Sequence, residues 1–119
     1  MNITFPVVEL FDRYAIAYVK WQRTHLNKDE LEYYQQQVDQ FEVDLVREPL
    51  DTLIGIHNII WDLEWQLKTG VEDKLSFEEI GRRAIIIRDF NNKRVTSKNK
   101  IAELLNDTVK EFKQDHLSA

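Results

Sequence analysis

The sequence predicts an all-α fold, a four-helix bundle-like domain with a long C-terminal helix. Its 119 residues include only three glycines and two prolines, and the alternation of β-branched residues that marks a strand is nearly absent. Apolar residues recur instead at intervals of three and four, as one face of a helix requires. We therefore expect one helical domain, residues 1–119, in which neighbouring helices are antiparallel and joined by short turns.

The first two helices are bounded by a proline and by a capping pattern. The first is predicted from about Pro6, a residue suited to the first helical position, to about His25, with apolar residues over most of its circumference. Asn27 and Glu30 form a capping box for the second helix. Its apolar residues follow a narrow stripe, typical of a peripheral helix: Leu31, Tyr34, Val38, Phe41 and Leu45.

The third and fourth helices are separated by a glycine. Pro49 opens the third helix, which ends before Gly70, a residue suited to the left-handed cap. Ser76 and Glu79 form a second capping box, and no helix breaker follows before Asn106. The fourth helix is therefore at least 28 residues long, about 42 Å at the helical rise of 1.5 Å per residue.

Composition and charge limit the classes of function. The chain has no cysteine, which excludes disulfides, thiolate metal sites and thiol nucleophiles. Charged residues interrupt its N-terminal apolar stretch, so we expect no signal peptide and no membrane span, and a cytoplasmic location. Segment 28–51 has eight acids and two bases, a net charge of −6, whereas segment 82–100 has seven bases and one acid, a net charge of +6. Such opposite patches attract each other within one chain or between two.

Polar residues interrupt the apolar faces of the last two helices. The spacing of three and four predicts one inward seam on the fourth helix: Phe77, Ile80, Ala84, Ile87, Asn91, Arg94, Lys98, Ile101, Leu105 and Phe112. On the third helix, His57 and Glu64 lie between two apolar strips. Because an unpaired buried charge costs several kcal/mol, we expect Glu64 to meet Arg94 or Lys98. His57 or Asn91 would complete the hydrogen bonds.

This polar cluster has three interpretations. It is a structural layer that fixes the register and partner choice of the helices, as buried polar residues do in coiled coils. Alternatively, it opens on a cleft where Arg94 and Lys98 bind an anionic ligand and His57 or Glu64 serves as a base. In the third interpretation the long helix is rotated or supercoiled, so that its charges form a solvated edge.

Glu9 and Asp12 form an E-x-x-D pair on the first helix, a spacing that can present two carboxylates to a divalent cation. Such a site needs a second acidic pair on another helix. Glu78 and Glu79 stand at a helix start, where they serve the cap, and Asp62 is alone. We therefore expect a solvated surface at Glu9 and Asp12, no metal site and no cofactor.

The partner that the sequence predicts is a second copy of the chain. The first and third helices are apolar over most of their circumference, and Trp21, Trp61 and Trp65 suit core or interface positions. We therefore expect a homo-oligomer. We do not expect nucleic-acid binding, because the basic residues of segment 82–94 are spread around the helix and the whole chain is acidic.

Three segments carry a resemblance to a known family: VELFDRYAIAYVK near the start, W-D-x-E at Trp61 to Glu64, and N-N-K-R-x-x-x-K at Asn91 to Lys98. They are similar to the E-x-x-D-K, W-D-x-E-D and N-D-x-R-x-x-x-K patterns of an uncharacterised family of small all-helical bacterial proteins, a domain of unknown function. The resemblance implies a bacterial cytosolic protein and no particular activity. It also implies one constellation made of Glu9, Asp12, Glu64, Asn91, Arg94 and Lys98.

From these observations we expect a non-enzymatic, oligomeric interaction or scaffold protein. The identity of any other protein partner is not encoded in a motif. The alternative is a small anionic-ligand-binding protein, or an enzyme, that uses the inward cluster of His57, Glu64, Asn91, Arg94 and Lys98.

Overall fold

A computed structural model describes residues 6–68 and 76–105. These residues form four α-helices and no strand, which confirms the predicted all-α fold. A short 3-10 turn, Val43–Val46, precedes the third helix. The helices are α1, Val7–Thr24; α2, Lys28–Val38; α3, Arg47–Lys68; and α4, Phe77–Leu104.

The boundaries of α1 agree with the prediction to within one residue. Pro6 caps the helix instead of occupying its first position. His25 adopts the left-handed conformation, with φ 56° and ψ 25°, and its backbone N–H donates to the carbonyl of Trp21. This conformation ends the helix and turns the chain towards α2.

The second helix is shorter than its apolar stripe suggested. It ends at Val38, and the stripe continues through Phe41 into the 3-10 turn, where Leu45 is exposed. Asn27 pairs with Glu30, but through its side chain: Nδ2 donates to Glu30 Oε1 at 2.9 Å and to the carbonyl of Ala17 at 3.0 Å. The predicted capping box is therefore a link between α1 and α2.

The third helix begins at Arg47, so that Pro49 lies in its first turn, where a missing N–H breaks no helical hydrogen bond. Its predicted end at Gly70 lies outside the described residues. At the start of α4, the N–H of Glu79 donates to Ser76 Oγ at 3.1 Å, as the capping box predicts. The described helix is 28 residues long, as predicted, and any extension past Asn106 lies outside the described residues.

The core lies where α1, the start of α3 and the end of α4 meet. Its centre consists of buried apolar side chains: Val8, Phe11, Ala15, Val38, Val46, Leu50, Leu53, Ile101 and Ala102. The other ends of α3 and α4 form a hairpin arm, which we define as residues 61–66 and 77–90. No side chain of the arm is buried.

The arm corrects the predicted seam of α4. Phe77 is 94% exposed and Ala84 is also exposed, whereas Lys98 and Ile101 on the same seam are buried. The reason is the length of α1, which ends at Thr24, immediately after Arg23 bonds to Asn58 of α3. Arg23 also pairs with Asp62, the second residue of the arm, so among the described residues α1 reaches only the base of the arm.

Replacing Ser76 with alanine is expected to lower the free energy of opening of the first turn of α4 by about 1 kcal/mol, because it removes the acceptor of the Glu79 N–H. Hydrogen exchange of that amide measures the effect. Ser76→Thr, which keeps the hydroxyl, is the matched control. Equal exchange rates in Ser76→Ala and the unmodified protein would contradict the cap.

Candidate functional site

An ion-pair layer crosses the bundle between α1 and α4. Lys98 of α4 is 1% exposed, and its Nζ lies 3.0 Å from Glu9 Oε2 and 3.8 Å from Asp12 Oδ2. Glu9 and Asp12 are one turn apart on α1, so both carboxylates reach the same ammonium group. The charge of Lys98 therefore points inward and is neutralised there.

Asp12 is the centre of the layer. Its Oδ1 lies 2.9 Å from His57 Nε2 of α3 and 3.4 Å from Arg94 Nε of α4, in addition to the contact with Lys98. The guanidinium of Arg94 also donates through Nη1 to Asn91 Oδ1 at 3.1 Å. One carboxylate thus ties together three helices.

The environment keeps Asp12 ionised. Burial alone would raise the pKa of its carboxyl group, but the hydrogen bond from His57 and the charges of Arg94 and Lys98 outweigh burial, so the pKa lies below its usual value. An ionised carboxylate only accepts hydrogen bonds, so His57 Nε2 carries the proton of their hydrogen bond.

The burial of Asp12 corrects the expectation of a solvated surface at the E-x-x-D pair. Asp12 is only 3% exposed, and Glu9 is partly buried. A signal for this exists in the sequence: Asp12 follows Val8 by four positions and precedes Ala15 by three, so it lies within the apolar stripe of α1. The stripe faces α4, and its acid meets the cations there.

The acid predicted to neutralise Arg94 and Lys98 was the wrong one. The ion pairs found for these two cations lead to Glu9 and Asp12 of α1, not to Glu64 of α3. Glu64 lies seven residues beyond His57, which is about 10.5 Å further along the helix axis. At that level it lines a cavity beside the layer.

This cavity has a volume of about 300 Å³ and lies between α1, α3 and α4. Four apolar side chains of α1 and α3 and four polar side chains of α3 and α4 surround it. The lining residues are Ile16, Val19, His57, Ile60, Trp61, Glu64, Asn91 and Arg94. All candidate residues of α3 and α4 except Lys98 therefore line this cavity. The ion-pair layer forms one of its walls.

Two of the other acids considered for a metal pair, Asp62 and Glu79, are engaged elsewhere. Asp62 pairs with Arg23 at the surface, and Glu79 pairs with Arg82 at 3.0 Å as well as serving the cap. Within residues 6–68 and 76–105, no group of three or more histidine and acidic side chains is arranged to hold a metal ion. In the same ranges, no helix combines the length and the apolar character that crossing a bilayer demands.

Comparisons of the chain with protein-family models, curated proteins and solved structures found no significant match. The resemblance to a helical bacterial family therefore stays a prediction. The constellation that it implied agrees with the geometry in one respect: Glu9, Asp12, Arg94 and Lys98 meet in the ion-pair layer, while Glu64 and Asn91 line the adjoining cavity. Fold and site together define a helical-bundle protein with a buried ionic layer.

Proposed function

We propose that the protein is a non-enzymatic interaction protein that binds a second copy of itself through the α3–α4 pair. The ion-pair layer fixes how this pair is held against α1, as buried polar groups fix register in coiled coils. In this proposal the ion-pair layer has a structural role. The interface is the face of α3 and α4 that points away from α1.

The observation that carries the proposal is the lack of any buried side chain in the hairpin arm. Its apolar residues need a second surface to leave water. Trp65 is 60% exposed, and Phe77, Ile85 and the neighbouring Ile59 are also exposed. Four of the eight large apolar side chains that are exposed within the described residues thus lie on the arm or next to it, and such a group of exposed apolar side chains is typical of an interaction surface.

The base of the arm carries an apolar groove of about 500 Å³. Its described lining residues all come from α3 and α4, so it lies on a different face from the cavity that α1 borders. The floor includes Gly55, where an added Cβ would meet nothing within 4 Å. Ile56, Ile59 and Phe90 form its apolar walls, and Lys93 lies over the Phe90 ring at 4.8 Å, which places a positive charge at the rim.

Charge favours the acidic segment of another copy as the occupant of the groove. The ion pairs found for the basic segment 82–100 lead to α1 or to acids of α4 itself, and none of these reaches segment 28–51. The 3-10 turn of the acidic segment presents an exposed Leu45 beside a fully exposed Asp44. We propose that Leu45 of one copy enters the groove of the other, with Asp44 facing Lys93.

Light scattering tests the proposal. The unmodified protein is expected to be a dimer or larger at tens of micromolar and to dissociate as salt is raised from about 50 to 500 mM, since exposed charges are screened over that range. Lys93→Glu alone and Asp44→Lys alone should each give monomers. An equimolar mixture of the two variants should recover the oligomer, because the two reversals restore opposite charges.

The control is Lys20→Glu, which makes the same change of charge at an exposed position on α1. It should leave the oligomer intact. A monomer of unmodified protein at these concentrations would overturn the proposed self-association. An oligomer that survives Lys93→Glu unchanged would show that another surface is used.

A further inference from the structure

The cavity beside the ion-pair layer has two chemically different sides. Ile16, Val19 and Ile60 make one side apolar, and the Trp61 indole adjoins them. Four groups able to form hydrogen bonds border the remainder, those of His57, Glu64, Asn91 and Arg94. A largely apolar wall with a few convergent polar groups is typical of a small-molecule site, and the volume of about 300 Å³ suits a ligand the size of one amino acid.

The guanidinium of Arg94 has one nitrogen, Nη2, that can still donate hydrogen bonds to a ligand. Nε faces Asp12, and Nη1 donates to Asn91 Oδ1. Among the described side chains Nη2 has no hydrogen-bond partner. Since Arg94 is partly exposed and borders the cavity, its planar group can bind an acceptor such as a carboxylate.

Glu64 provides the opposite charge. Glu64 is partly buried, and within the described part of the chain its carboxylate has neither an ion pair nor a hydrogen bond. Its oxygens are not fully buried, so the carboxylate is open to a cationic donor that enters the cavity. Glu64 therefore supplies the cavity with an acceptor for an ammonium group.

The balance of charge argues against a simple anion. Lys98, one of the two cations that the sequence offered for anion binding, is already paired with Glu9 and Asp12. Asp12 also offsets part of the charge of Arg94. An anion that approached Arg94 would meet Glu64 in the same cavity, and a cation that approached Glu64 would meet Arg94.

We infer that the cavity binds a zwitterionic small molecule of the α-amino-acid type with an apolar side chain. Its carboxylate binds Arg94 and Asn91, its ammonium group binds Glu64, and its side chain packs against Ile16 and Ile60. This inference does not depend on self-association, because the cavity and the groove lie on different faces.

Isothermal titration calorimetry at pH 7 with four probes tests the inference. L-leucine carries all three features, whereas 4-methylpentanoate lacks the ammonium group, 3-methylbutylamine lacks the carboxylate, and glycine lacks the side chain. L-leucine is expected to bind at least tenfold more tightly than each of the others. Equal affinity for 4-methylpentanoate, or no heat with L-leucine at 10 mM, would overturn the inference.

A pair of variants assigns the ammonium site. Glu64→Gln is expected to weaken L-leucine at least tenfold while leaving 4-methylpentanoate as tight or tighter. Glu103→Gln, at an exposed position of α4 remote from the cavity, removes the same charge and should have no effect. Unchanged L-leucine affinity in Glu64→Gln would refute the assignment. The monomeric Lys93→Glu variant should still bind L-leucine, which separates this inference from the proposed self-association.

Discussion

Replacing Lys98 with methionine is expected to lower the free energy of unfolding by about 3–5 kcal/mol, the usual cost of removing one partner from a buried ion pair. Methionine keeps the apolar stem but leaves Glu9 and Asp12 without the ammonium group that lies between them. Part of the loss is the desolvation of Asp12, which is buried and cannot turn to water. Urea denaturation followed by circular dichroism measures it.

Lys100→Met is the matched control, because it makes the same chemical change two residues further along α4 at an exposed position. It should change stability by less than about 0.5 kcal/mol, as surface substitutions usually do. If the two variants proved equally stable, Lys98 would be in contact with water and the layer would have no structural role.

Asp12→Asn is expected to destabilise the protein by about 3 kcal/mol at pH 7, because it removes the shared anion of His57, Arg94 and Lys98. It should also change the dependence of stability on pH. The pKa of Asp12 in the folded protein lies below its ordinary value of 3.8. Its ionised form therefore stabilises the fold at pH values above about 4, and this contribution is lost as the pH falls through the folded pKa.

The measurement is urea unfolding at a series of pH values from 7 down to 2.5. The stability difference between the unmodified protein and Asp12→Asn should be largest near neutrality and should shrink below about pH 4. Asp89→Asn, an exposed carboxylate that pairs with Arg88, should show almost no difference at any pH. A difference that stayed constant down to pH 2.5 would mean that Asp12 is not the titrating group.

Local patterns predicted the helices well because they act within a few residues. The Ser76 cap depends on an N–H three positions away, and the 28-residue span of α4 depends on the absence of breakers inside it. The end of α2 could not be predicted in this way, because the apolar stripe through Phe41 continues across the turn that follows Val38. The spacing of apolar residues shows which side of the chain faces the core. The same spacing continues when an α-helix gives way to a 3-10 turn, so it does not show where the α-helix ends.

Periodicity also predicted which polar residues of α3 and α4 share a side, but not their partners. His57 and Glu64 fall on the same side of α3, but the acids that meet Arg94 and Lys98 lie on α1. The position of α1 against α4 depends on contacts between residues far apart in the chain, and no local pattern in the sequence encodes it. The same limit explains Phe77, which shares the spacing of the seam and yet is 94% exposed.

Glu9 and Lys98 are separated by 89 positions in the chain. During synthesis, α1 and α3 leave the ribosome before Lys98 does, and burying the carboxylates of Glu9 and Asp12 in the core at that stage would be unfavourable. Only when α4 has emerged can the ammonium group of Lys98 neutralise them. Because of the ion-pair layer, α1 can pack into the core only once α4 is present. A chain truncated before Lys98 should therefore remain expanded and accessible to proteases.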